Sequence, residues 1–568
     1  MISARHVSRW AGLAALTALG CGGHPTPAPV PAQAPTAAAT GPAVSAANLK
    51  TRLYIYSDDS MMGRRAGTEG DVKATSYITD QVRQMGLVPA GDSGTYLQTI
   101  GMVMERIDTS STLSVDGTDL KAGEDFLFAG GQNVGAFKGG AVVYGGRLGD
   151  TSVHLAPDSV KGKVVVVGLP LDAAGHPTLR ITGSDIAPFT QANGVALAST
   201  LGLLPPQAVA GMMEQERPAL DEGDMGGGEA GLAFIVLGDR ATELLLGGSV
   251  DSASLGSTGK SVTAHVVLDK TPVAFPARNV VAILPGSDPA LKGEYVAIGA
   301  HNDHIGLTPR PLDHDSVWAT NRVIRKGGVE DTPRMPTPEE AARIQALRDS
   351  LARVRPDRPD SVNNGADDDG SGTVSVLGIA QTLSAMPVKP KRSILFVWHT
   401  GEELGMFGSK WFTDHPTVPR DSIVAQLNID MIGRGDSADT PGGGPNYLQL
   451  IGSRRLSTEL GDLVETVNTA DHHDFTFDYQ FDTNGNPHQY YCRSDHYEYA
   501  RWGIPIVFFT TGGHPDYHQV TDEPQEIDYP KMARVASLIA DIAVHVADLD
   551  HRPVVDHPKP DPYGSCVQ

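Results

Sequence analysis

The chain has 568 residues with 64 Gly and 40 Pro, which excludes a single ordinary core and a fold of long helices and points to two folded domains with tails. Its 45 Lys and Arg against 67 Asp and Glu leave a net charge of -22, which argues against nucleic acid and anionic membrane surfaces as partners. No apolar run of 18 or more residues follows the N-terminal region, so no spanning helix is expected in the mature protein.

Residues 1–21 read as an export signal: Arg5, His6 and Arg9 make a basic start, Trp10 to Leu19 is apolar, and Ala18-Leu19-Gly20-Cys21 closes it. That ending looks like a lipoprotein processing box, in which Cys21 carries the lipid and is the protein's sole attachment to a membrane; an ordinary secretory signal is the other reading. Either places the protein outside the cytoplasm, at the periplasmic face of a bacterial membrane or secreted. Residues 22–47, rich in Pro and Ala, read as a disordered tether. Cys492 and Cys566 are enough for one disulfide in an exported chain, although spacing does not establish a pair, and are too few for a zinc framework. A metal site here is therefore built from nitrogen and oxygen.

From Asn48 to Met85 a helical pattern places Ala74, Tyr77, Ile78, Val82 and Met85 on one face, with Gly86 as its stop and a glycine-punctuated turn around Arg64 and Arg65. Residues 110–272 change texture to short strand-like runs between Gly-rich turns and read as an inserted β-rich module. Non-alternating apolar runs then recur at Val280–Leu284, Tyr295–Ala300, Ser393–Trp398, Ile423–Ile429 and Ile504–Phe509, separated by amphipathic segments. Such runs imply a sheet buried on both faces, hence an α/β domain over 48–109 and 275–550 with a mixed, mostly parallel sheet between helices. A charged, Pro-rich insertion, 309–362, interrupts it and holds one solvated helix over Pro338 to Val354; 551–568 reads as a tail.

Chemistry gathers at the ends of these runs. They lead into His301-Asn302-Asp303, His399-Thr400-Gly401-Glu402-Glu403, Asp430, and Gly513-His514-Pro515-Asp516-Tyr517-His518. In an open α/β sheet, ligands bind beyond the carboxyl ends of the strands. The stretch Gly365 to Gly372, GADDDGSG, adds three adjacent carboxylates at a corner, which repel one another unless a cation holds them. Each place alone is more often a solvated loop than a ligand; five at one sheet edge weigh the other way.

In their order these motifs resemble the co-catalytic di-zinc aminopeptidases, a superfamily that includes glutamate carboxypeptidase and glutaminyl cyclase: His301-x-Asp303, GADDDGSG, Gly401-Glu402-Glu403-x-Gly405-x-x-Gly408-Ser409, Asp430-Met431-Ile432-Gly433 and Asp516-Tyr517-His518-x-x-x-Asp522. The inserted module, 110–272, resembles a protease-associated domain. The resemblance implies two zinc ions bridged by Asp368, with His301 and Asp430 completing one site and Glu403 and His518 the other. It implies Asp303 as the group that orients His301, Glu402 as the general base acting on a metal-bridging hydroxide, and Tyr517 as a donor to the oxyanion. Asp369 would follow a cis peptide, and Asp367 would be a replaceable neighbour.

The expected function is an exported zinc aminopeptidase acting on peptides. A carboxypeptidase or dipeptidase on the same scaffold is the alternative, with Arg434 and Arg493 as candidate carboxylate receptors; a non-catalytic peptide-binding or receptor relative is disfavoured because all five ligands and the base are present. Glutaminyl cyclase chemistry, which needs one metal, is disfavoured by the intact second ligand set. His496 is expected near the substrate pocket, whereas His472, His473, His488 and His514 are expected in loops.

Overall fold

The computed structural model describes residues 43–568 except 132–133, 151–154, 173, 180, 182, 222–231, 329–330, 332–333, 357, 441 and 565. The export signal and most of the tether lie outside the described residues. The first helix, α1 (Ala46–Tyr56), is capped by the Ser45 hydroxyl, which accepts the Asn48 amide, and buries Leu49, Leu53 and Tyr56. Val44 is already buried, so the packed chain starts within the stretch expected as tether, because the apolar i, i+4, i+7 face reaches the core. The second helix, α2 (Glu69–Gln84), opens on Glu69 and Asp71 and ends before Gly86, whose φ of +73° suits a residue without a Cβ.

A nine-stranded sheet organises the domain. Its strands are β1 (Val88–Pro89), β2 (Leu97–Thr99), β3 (Arg278–Leu284) and β4 (Tyr295–His301), with further members after an insertion hairpin formed by β5 (Leu307–Asp313) and β6 (Pro359–Val362). The remaining members are β7 (Ser393–His399), β8 (Ile423–Ile429), β9 (Tyr447–Ile451), β10 (Thr476–Asp478) and β11 (Ile506–Thr510). The order is β1-β3-β7-β4-β8-β11-β9-β10, with β2 paired to β3. The four central strands β7, β4, β8 and β11 run parallel, so their carboxyl ends share one edge.

The lack of alternation in these strands has a direct cause. Ile394, Phe396 and Trp398 of β7 enter one core with α1, α2, α5 (Gly372–Ala385) and a long helix over Tyr529–Asp548, while Leu395 and Val397 enter another with Phe412 and Tyr499. Both faces are dry, so consecutive positions from Ile394 to Trp398 are apolar.

Residues between β2 and β3 form separate sheets. One runs in the order Phe126–Gly131, Ala233–Leu237, Gly194–Leu197, Val164–Gly168, Val142–Arg147, and has its own apolar cores. Entering and leaving strands, Met102–Ile107 and Leu268–Pro272, pair antiparallel and Arg217–Leu220 adds a third strand, so the module joins the domain through a small three-stranded sheet, whose Met102 and Leu220 pack with Leu404, Phe407 and Trp411.

The 309–362 insertion is closed at its base by β5 and β6 and holds two helices, α3 (His314–Ile324) and α4 (Pro338–Ala352). The latter has a Thr337–Glu340 capping box and no buried residue, as a solvated helix should. Sequence reading missed α3. A disulfide joins Cys492 and Cys566. Among the described residues, no helix is long and apolar enough to cross a membrane.

Candidate metal centre

The GADDDGSG corner is held from three sides. Arg64, fully buried, donates to the carbonyls of Tyr56 (3.1 Å), Asn364 (2.6 Å) and Gly365 (2.8 Å). Asp522 accepts the backbone amides of Asp367 (3.0 and 3.2 Å) and Asp368 (3.1 Å). Asp369 accepts the amides of His301 (3.1 Å), Gly372 (2.8 Å) and Met431 (3.1 Å), tying the corner to β4 and to the turn after β8. Gly365 has φ +51°, and a Cβ there would lie 2.5 Å from the His304 ring, so this position takes no side chain. The Asp368–Asp369 peptide is cis.

The three carboxylates have unlike surroundings. Asp369 is consumed by amides, and Asp367 accepts the Gly433 amide at 2.6 Å and faces His514 at 3.5 Å. Asp367 is therefore not a replaceable neighbour, because its fully buried carboxylate is locked into the turn after β8. Asp368 presents one oxygen to His301 Nε2 at 3.1 Å and the other to His518 Nε2 at 3.1 Å. Around it stand two groups of potential ligands that share it: His301, Asp368 and Asp430, and His304, Asp368, Glu403 and His518. His301 Nε2 is 3.7 Å from Asp430, and Glu403 is 2.9 Å from His518 Nε2 and 2.7 Å from His304 Nδ1.

These residues fit zinc. Imidazole nitrogen and carboxylate oxygen are its usual donors in sites without thiolate. The Nε2 atoms of His301 and His518 and Oδ2 of Asp368 are buried with no hydrogen-bond partner, an arrangement that is costly unless a cation faces them. Burial works against charge on His518, yet Asp368 and Glu403 outweigh it and push the imidazole up to about 10, so the cluster attracts positive charge. The His301 tautomer is set by its own loop: Nδ1 lies 3.1 Å from the Asp303 carbonyl, which leaves Nε2 turned to the carboxylates. Asp430 is oriented by the Ser494 hydroxyl, which donates to it at 2.8 Å.

Glu402 sits beside both groups without joining either. Its amide donates to the Asp303 carboxylate at 3.1 Å, so Asp303 positions Glu402 while its own carbonyl orients His301. Burial, opposed by His301 and reinforced by Asp430, Glu403 and Asp495, holds the Glu402 carboxyl well above the usual range. Tyr517 stacks on His518 with ring centroids 3.9 Å apart, and burial raises its hydroxyl well above the ordinary value. His518 itself has φ +57°, a left-handed backbone uncommon outside glycine.

Residues 279–543 match the profile described as Peptidase family M28. A probable leucine aminopeptidase of Arthroderma benhamiae is 24% identical over 238 residues, 40% of this chain and 60% of that protein. Leupeptin-inactivating enzyme 1 of Streptomyces exfoliatus is 40% identical over 170 residues, 29% of this chain and 34% of that protein. The chain thus spans about a third to three fifths of the length of these two relatives. Among solved structures, the zinc aminopeptidase BSAP of Bacillus subtilis aligns over 90% of this chain and 98% of its own at 17% identity, with a TM-score of 0.44.

Elsewhere in residues 279–543, several residues sit differently from expectation. Arg434 is buried against Asp439 (2.6 Å) and Asp516 (3.3 Å), so its guanidinium is spent on structure and does not receive a substrate carboxylate. His514 lies in the loop after β11, as expected, but is fully buried there, and burial pushes it down to about 3. His496 is also buried, stacked on Phe508 with centroids 4.6 Å apart. Arg493 is exposed and lies 5.2 Å over the Tyr490 ring. Sequence reasoning missed His304 and assigned Arg64 and Asp522 no role at the GADDDGSG corner. His304 had a signal, being the second imidazole of the same strand-end run, three residues after His301.

Proposed function

We propose that the protein is an exported, zinc-dependent aminopeptidase with two ions per chain, held by His301, Asp368 and Asp430 and by Asp368, Glu403 and His518, with His304 beside the second group. The observation that carries this reading is the single carboxylate of Asp368 between two imidazoles, with Glu402 next to Glu403 in the chain and outside both groups of potential ligands. Zinc, when bound, supplies Lewis acidity toward a peptide carbonyl and makes water more acidic.

The protein's own groups do the rest. Glu402, held by Asp303 through its amide, accepts a proton from the attacking water and delivers it to the departing amine. Tyr517 donates its hydroxyl to the carbonyl oxygen as charge develops there. Burial of Arg434 removes one of the two candidate carboxylate receptors, which favours recognition of the amino terminus over the carboxyl terminus. Export is supported by the Cys492–Cys566 disulfide together with the basic-then-apolar first 21 residues. Residues 110–272 are read as a protease-associated module that contacts substrates or partners.

A panel of aminoacyl nitroanilides and N-blocked dipeptides, assayed with and without chelator and zinc replacement, tests the reading. Chelator-sensitive cleavage of the free-amine substrates is expected. Faster cleavage of the blocked dipeptides would transfer the assignment to a carboxypeptidase or dipeptidase, and a folded protein that binds no zinc would end it.

A further inference from the structure

At the junction of the 309–362 insertion with the α/β domain lies another cluster of ligand type: His314 at the start of α3, Asp360 in β6, and Glu523 just beyond the His518 loop, with one donor atom from each within 4.8 Å of the others. The His314 side chain is 4% exposed, and its Nε2 has no hydrogen-bond partner. That nitrogen is 3.5 Å from Glu523 Oε1, long for a direct hydrogen bond. It matches the separation of about 3.4 Å expected for two ligands at about 2.1 Å in tetrahedral array around zinc.

The other side of the imidazole is occupied in the manner of a metal-binding histidine. Nδ1 faces Asp315 Oδ1 at 3.3 Å, and Asp315 is held by Arg355 at 2.5 and 3.1 Å. Arg358 donates to Glu523 Oε1 at 2.8 Å and offsets one negative charge, while Asp59 adds another beside Asp360. The same signature, a buried unpartnered Nε2 turned to carboxylate oxygens at 2.9 to 3.7 Å, marks His301 and His518.

We propose that His314, Asp360 and Glu523 form a third, structural site for a divalent transition-metal cation of the zinc class. Such an ion joins the base of the insertion to residue 523, next to Asp522, whose carboxylate holds the backbone of Asp367 and Asp368. It is a clasp on the outer support of the catalytic corner, and it stands independently of the reading of that corner.

The test is elemental analysis of full-length protein loaded with zinc and freed of excess metal by gel filtration. H314A should contain one zinc fewer per chain than wild type, and the same decrement should appear when H314A is added to an H301A/H518A background, which reads the third site even if the paired site fails. D360N, at the half-exposed rim, should reproduce the loss, and it serves if H314A does not fold by circular dichroism. Calcium offered in place of zinc should not fill the site, because a nitrogen donor disfavours a hard cation. Equal zinc content with and without His314 and Asp360 in both backgrounds would overturn the proposal, as would a change in pH dependence of stability with no change in metal content, which would mark His314 as a protonated strut.

Discussion

Glu402 and Glu403 are sequence neighbours with opposite tasks, and the difference is set by what each faces. Glu403 meets two imidazoles, whereas the Glu402 carboxyl is raised chiefly by burial and fixed through its amide by Asp303. Glu402→Gln should therefore lower kcat by about 10²- to 10⁴-fold, the usual range for a lost general base, while zinc content stays at the wild-type value. Asp367 and Asp368 separate in another way. Asp368→Asn should abolish paired metal binding, seen by elemental analysis, whereas Asp367→Asn should cost about 1 to 3 kcal/mol of stability by weakening the buried bond from Gly433.

His496 gives a pH prediction remote from the ligands. Burial depresses its imidazole to about 3, so between pH 6.5 and 3 the unfolded chain binds a proton that the folded chain refuses. Stability present above pH 6.5 should fall as pH drops, by about 1.4 kcal/mol per unit for this group. The difference in urea midpoint between wild type and His496→Leu should shift in favour of the leucine variant as the pH is lowered across that range; a constant difference would refute the assignment.

At the level of elements, α3 braces the loop that delivers His518. Arg322 pairs with Asp516 at 2.7 Å, Asn321 reaches Asp516 and Thr521, and Arg325 donates to the carbonyls of Pro515 and Tyr517, each at 2.9 Å. Arg325→Ala should loosen that loop and speed zinc loss to a chelator, with a lower melting temperature by the equivalent of roughly 1.5 to 3 kcal/mol.

The main elements were legible in the sequence because the sheet is dry on both sides and strand-end residues carry the chemistry. His301, Asp430 and the Glu402–Glu403 pair could be placed at one edge from that pattern alone. What could not be read were contacts between distant loops: nothing local in Arg64 shows that its charge ends on carbonyls 300 residues away, and Arg434 looks as available as any arginine until Asp439 and Asp516 close on it. The helix α3 was hidden by its setting, a charged stretch whose few apolar positions looked like solvated chain.

Taken whole, the described chain is an α/β domain with a module attached through a small three-stranded sheet. Asp108 and Val267 already share a backbone hydrogen bond at 2.9 Å above the pair of strands. Replacing 109–266 by an Asn-Gly turn should leave a folded domain with wild-type zinc content, judged by circular dichroism and elemental analysis. If cleavage of long peptides changes while that of short ones does not, the module governs access; loss of fold would show instead that the two share a core.

The anchoring of the corner by Arg64 also bears on when the centre comes into being. One guanidinium near the beginning of the described chain docks on residues 364 and 365, and the ligands it helps to align come from separate segments between His301 and His518. The centre thus depends mainly on long-range contacts, the slowest kind to assemble. A zinc-sensitive dye added during refolding should report its signal late, after far-UV ellipticity has recovered, making metal capture a clock for the last stage of folding.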